Sequence, residues 1–279
     1  MQLLSLFFGS IVGVSLGLTG GGGAIFAVPL LVYGLGVPAR EAVGISLVSV
    51  GLTSLVGFLK KWRKAEVELR TGLLFATAGM IGAPVGSWAA RLLPDAVLML
   101  LFAGLMLAIA VRMWMQAGKA GSNLPQCMPR DEKHQSTGIN GPQCRRDSEG
   151  RLLLTGRCAR LLMIVGFLSG MLSGMFGVGG GFIIVPALVF FSGMSMLLAL
   201  GTSLMVISLV SASGFASMIW AGQQVSFEIT SVFLTGGLIG LFIGQSVAHQ
   251  LSASALQRVF SLAILLVATF VILRNLFQG

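Results

Sequence analysis

Two stretches of this sequence carry residues from which a binding chemistry can be built: GLTGGGGAIFAVPLLV at 17–32 and GMFGVGGGFIIVPALV at 174–189. A shift of 157 positions lays Gly17 on Gly174, Gly20 on Gly177, Gly22 on Gly179, Gly23 on Gly180 and Pro29 on Pro186. Neither stretch contains an ionisable side chain, so the chemistry they offer is that of the backbone. A helix interrupted by glycines leaves peptide N–H groups without partners, and a helix that restarts after the break turns a positive dipole end toward it. Such donors hold a small anion without a buried lysine or arginine. The candidate ligand contacts are therefore Thr19, Gly20, Gly21, Gly22 and Gly23 in the first stretch, and Gly177, Val178, Gly179 and Gly180 in the second. The hydroxyls of Ser46, Thr202 and Ser203 are candidates beside them, in competition with bonds to their own i−4 carbonyls. Pro29 and Pro186 are candidate structural breaks. Close packing explains scattered small residues such as Gly79, Gly82 and Gly86, but it does not require a run of four glycines.

The elements that must position these residues are apolar segments at about 2–18, 24–36, 42–59, 70–90, 95–115, 161–176, 181–193, 196–220, 227–248 and 254–275. Of the 279 residues, 55% are hydrophobic and 10% charged, and the mean hydropathy is +0.93. A soluble domain cannot hide that much apolar surface, so an all-α, multi-pass membrane protein is expected. The segments beside each glycine run are shorter than the roughly 20 residues a spanning helix needs, which predicts a broken or re-entrant helix in each half. The repeat continues beyond the glycines: AVGISLVSVGLTSLVGF (42–58) matches ALGTSLMVISLVSASGF (199–215) through Ser46/Ser203, Ser54/Ser211 and Gly57/Gly214. The expected organisation is a membrane repeat over 1–115, a polar cytoplasmic linker over 116–160 and a second membrane repeat over 161–279. Three crossings plus a hairpin, or five segments, are odd numbers and invert the second repeat. A merely bent span gives four crossings and parallel repeats. The start of the chain lacks a basic n-region and is read as retained structure.

The net charge of +9 invites a nucleic-acid reading, yet the basic residues flank apolar segments. Lys60, Lys61, Arg63 and Lys64 follow one segment, and eight of the eighteen Lys and Arg fall between Lys119 and Arg160. That is the pattern of cytoplasmic loops, with the lipid bilayer rather than nucleic acid as partner. WAGQQVSFE, the repeat counterpart of KKWRKAEVELR, has no basic residue, which favours inversion. Arg40, Arg91 and Arg112 sit at segment ends, as interfacial anchors do. No carboxylate lies unambiguously mid-segment, Gln245 reads as polar glue between helices, and no catalytic motif appears. Cys127, Cys144 and Cys158 argue against a disulfide framework by odd count, and the sixteen residues between the first two fit no compact zinc pattern. No metal and no cofactor are expected.

The doubled glycine motif, each copy followed by GISL or GTSL and then a glycine-rich span, resembles the TauE/SafE sulfite exporter family. The resemblance covers roughly 5–115 and 161–275 and leaves the insert at 116–160 outside it. It implies a permease of the cell inner membrane that exports or exchanges sulfite, an organosulfonate or a related sulfur oxyanion, and it admits a homodimer. A carrier for another small anion or metabolite and a non-transporting membrane scaffold remain the alternatives.

Overall fold

In a computed structural model the protein is described at residues 2–119, 156–192, 194, 196–223 and 225–248, with scattered positions between 262 and 271. The described residues are helical, with no strand among them. Helix α1 (Gln2–Thr19) ends at Gly20 and Gly21, and the chain resumes as a 3-10 turn (Gly22–Phe26), a short α2 (Ala27–Pro29) and a π turn (Leu30–Gly34). Long helices follow: α3 (Ala39–Trp62), α4 (Leu69–Leu92) and α5 (Asp95–Lys119). The same order recurs as α6 (Gly156–Phe176), a break at 177–180, α7 (Gly181–Ser192), α8 (Met196–Trp220) and α9 (Phe227–Ala248). Most of the expected segment at 254–275 and most of the linker lie outside the described residues.

Six helices are long and apolar enough to cross a membrane, and they expose large apolar side chains, among them Leu3, Ile81, Leu168 and Phe242. A water-soluble monomer does not present so much apolar surface. The inner faces bury small residues. Ideal Cβ atoms built on Gly9, Gly13 and Gly17 of α1 meet the backbones of Phe233, Gly237 and Leu241, so α1 and α9 run parallel in backbone contact. Gly82 and Gly86 of α4 lie in the same way against Phe167 and Met171 of α6. Helices α3 and α8 cross antiparallel, Gly44 meeting Met218, Gly51 meeting Ser211 and Gly57 meeting Leu204. Glycine at each crossing lets backbones approach where lipid gives no hydrophobic drive for association.

The first break makes a hairpin. Gly23 packs on Ser15 and Leu16 and Gly34 on the Phe8 ring, so the segment after the break runs back along α1. Its far end, Leu35, shares a cleft with Gln2 and Glu228. At the second break Gly180 already lies beside Ser169, two turns back along α6. One end of the bundle is tied by Arg40 Nη2 donating to the Leu93 carbonyl (3.1 Å) and the Ser226 N–H donating to Glu41 Oε1 (3.1 Å). The other, about 36 Å away along the 24 residues of α3, carries the Lys61–Glu66 ion pair (2.9 Å) and the Glu68 N–H donating to Thr202 Oγ1 (3.0 Å). Cys158, near the start of α6, is disulfide-bonded, which corrects the expectation drawn from the odd cysteine count.

Candidate functional site

The two breaks are held by each other's half of the chain. Ser46 Oγ on α3 donates to the Gly177 carbonyl (2.5 Å), and Ser203 Oγ on α8 donates to the Gly20 carbonyl (2.6 Å). Both serines are fully buried. The same 157-residue shift relates donor to donor and acceptor to acceptor, so the two bonds form a crossed clasp. Ser203 also lies 2.8 Å from the Leu200 carbonyl. Thr19 is spent within its own break, donating to the Ser15 carbonyl (2.7 Å) and accepting from the Gly23 N–H (3.2 Å).

Positive φ is confined to particular glycines: Gly20 (69°) and Gly21 (148°) in the first break, and Gly177 (70°), Gly179 (70°) and Gly180 (68°) in the second. Gly22 and Gly23, equivalent to Gly179 and Gly180 by sequence, are not among them, so the breaks are related without being identical. The breaks also touch: a Cβ on Gly181 would lie 2.5 Å from the Gly21 Cα. Gly179 sits between Ile207 and Val50, with Ser211 Oγ 3.5 Å from its ideal Cβ position.

Hydrogen-bond accounting gives the site its sign. The Gly20 and Gly177 carbonyls accept from the two serines, Gly21 O accepts from Ala24 N–H, and Gly180 O accepts from the N–H groups of Ile183 and Ile184. The N–H groups of Gly21, Val178, Gly179 and Gly180 have no partner among the described residues. Four carbonyls in the breaks, those of Gly20, Gly21, Gly177 and Gly180, are occupied, while these donors are left over. Buried donors without partners are costly, about 1–3 kcal/mol each, so an arrangement that keeps several suits an acceptor-rich ligand.

Of the residues singled out by sequence, the breaks bring Thr19, Gly20, Gly21, Gly22, Gly23, Gly177, Val178, Gly179 and Gly180 together with Ser46 and Ser203. Thr202 stands apart, accepting at the start of α4. Pro29 is buried in the hairpin and Pro186 lies exposed within α7. Sequence reasoning passed over four buried serines whose hydroxyls have no partner: Ser49, Ser54, Ser173 and Ser211. A signal for two of them was present, since Ser54 and Ser211 match in sequence at a shift of 157 positions. Gln245, read as glue between helices, has a buried Nε2 without a partner. Arg40 and Arg91 line a cavity of about 20 Å³ with Ser87, Gly174 and Gln223, at the end of the bundle nearest Gly177.

A family model described as "Sulfite exporter TauE/SafE" matches residues 5–271. A probable membrane transporter protein of Xylella fastidiosa (strain Temecula1) is 35% identical, the match covering 98% of this chain and 95% of that one. The probable membrane transporter protein YdhB of Bacillus subtilis is 27% identical over 84% of this chain and 85% of its own, and YunE of the same organism 23% identical over 99% of each. No solved structure matches the chain significantly. With its spanning helices, glycine breaks and a family match over nearly its whole length, the chain belongs to the TauE/SafE family and is a membrane transporter.

Proposed function

We propose that the protein carries a small sulfur oxyanion, sulfite or an organosulfonate, out of the cytoplasm across the cell inner membrane, binding it at the two glycine breaks. The observation that carries this reading is the set of donors there: the N–H groups of Gly21, Val178, Gly179 and Gly180 have no partner among the described residues, while the carbonyls of Gly20, Gly21, Gly177 and Gly180 are already satisfied. A sodium or other cation site would need the reverse, free carbonyls converging on the ion. The family description supplies the sulfur oxyanion.

In this reading the chain is two inverted repeats joined by a cytoplasmic linker. The antiparallel crossing of α3 and α8, the matched crossings α1/α9 and α4/α6, and the crossed serine clasp all support it. The breaks close on each other through Gly21 and Gly181, so an anion enters as the hairpins part, first toward one side of the membrane and then the other. That is alternating access around a site near the middle of the bundle. Arg40 and Arg91, at the end nearest the second break, supply positive potential at one mouth.

The test is flux from proteoliposomes loaded with sulfite, sulfate, thiosulfate or taurine, with and without a pH gradient. Sulfite or taurine movement above empty liposomes is expected. Movement of another anion alone replaces the substrate, and no movement of any of the four overturns the transport of sulfur oxyanions.

A further inference from the structure

Ser211 on α8 is 1% exposed, lies in the middle of the α3/α8 crossing and has no hydrogen-bond partner. Most other buried hydroxyls are engaged, Thr53 with the Ser49 carbonyl, Ser208 with the Met205 carbonyl and Thr230 with the Ser226 carbonyl, and Ser211 shares its unpartnered state with Ser49, Ser54 and Ser173. Such back-bonding is the ordinary state of a hydroxyl in an apolar helix, so its absence at Ser211 needs a reason. The position supplies one. Ser211 Oγ faces Gly179, 3.5 Å from the point where a Cβ on that glycine would sit, and the Gly179 N–H is itself without a partner. The break opens onto the N-terminus of α7, a helix of twelve residues, whose dipole adds to the same positive end. At the equivalent repeat position Ser54, fully buried on α3, is likewise unpartnered.

We infer that Ser211 Oγ and the backbone N–H of Gly179 form a donor subsite for one oxygen of the transported oxyanion, with Ser54 its counterpart at the other break. The inference rests on the reading of the breaks as the anion site and names side chains within it. Two roles thereby separate among serines equally buried. Ser46 and Ser203 spend their protons on glycine carbonyls and hold the backbone, while Ser211 and Ser54 keep theirs for the ligand. A hydroxyl donor beside a peptide donor also favours a ligand whose charge is spread over several oxygens, as in a sulfite or sulfonate group, over a compact halide.

The experiment compares Ser211→Ala, Ser54→Ala and the double variant with the parent for sulfite and chloride affinity in detergent, thermal unfolding, and sulfite flux from proteoliposomes. Removing an unpartnered hydroxyl costs the fold nothing, so melting temperature should hold or rise. Sulfite affinity should fall about tenfold for Ser211→Ala, more for the double variant, with chloride binding little changed. Sulfite affinity and flux equal to the parent's in both single variants overturn the inference while leaving the anion site at the breaks standing. A lower melting temperature with unchanged affinity overturns it too, since the hydroxyls are then structural. A parent that neither binds nor moves sulfite defeats the underlying reading and the inference together.

Discussion

Ser46 and Ser203 look alike in the sequence to any serine in an apolar helix, yet they join positions 131 and 183 residues apart. Their polarity and the match of the sequence around them at a shift of 157 positions were legible. Their partners were not, because helical spacing reports only contacts three or four residues away. Replacing either by alanine leaves a buried glycine carbonyl without a donor, at a cost of about 1–3 kcal/mol. Thermal unfolding in detergent should therefore give Ser46→Ala and Ser203→Ala melting temperatures several degrees below the parent's; unchanged values would mean the clasp holds nothing. Which glycines take positive φ was also hidden, since a run of four identical residues does not say where the chain turns.

At the scale of elements, hydropathy located the helices well: the expected 196–220 and 227–248 are α8 and α9, and α3 and α4 exceed their expected spans by only a few residues. The segment after the first break was less legible. Pro29 has no N–H to give the preceding turn, and the chain between Gly22 and Gly34 passes from 3-10 through α to π geometry, a change apolarity does not encode. The small residues of the spans did indicate packing. A Cβ on Gly82 would collide with the Phe167 carbonyl and lie 2.9 Å from the Met171 N, forcing α4 and α6 apart. Gly82→Ala should destabilise by about 1–3 kcal/mol, as overpacking does, before it affects ligand binding. Melting temperature and sulfite affinity measured together decide this; an affinity loss at unchanged stability would place Gly82 in the site.

At the scale of the molecule, the asymmetry of charge was the readable feature, and the structure sets its two poles at opposite ends of α3: Lys60, Lys61, Arg63 and Lys64 at one, Ala221 and Gln223 beside Arg40 at the other. With inverted repeats in a bilayer, cysteines introduced by Lys64→Cys and Ala221→Cys should react with an impermeant maleimide from opposite sides. Labelling from one side would contradict that topology. How the halves interlock was not legible, because the contact of Gly21 with Gly181 and the crossed serines belong to the folded pair and to neither half alone. In the proposed reading the anion binds at the breaks, and Gly179 probes them most directly: its φ is 70° and an added Cβ would lie 2.8 Å from Ile207 Cγ2. Strain of about 1–3 kcal/mol at such a position corresponds to roughly a 5- to 150-fold loss of affinity where that conformation binds the ligand. The decisive measurement is sulfite affinity of Gly179→Ala against the parent in detergent, with melting temperature recorded alongside. A loss in that range, larger than for Gly82→Ala at equal stability, is what an anion site at the breaks predicts; parent-like affinity in a folded Gly179→Ala protein would contradict it.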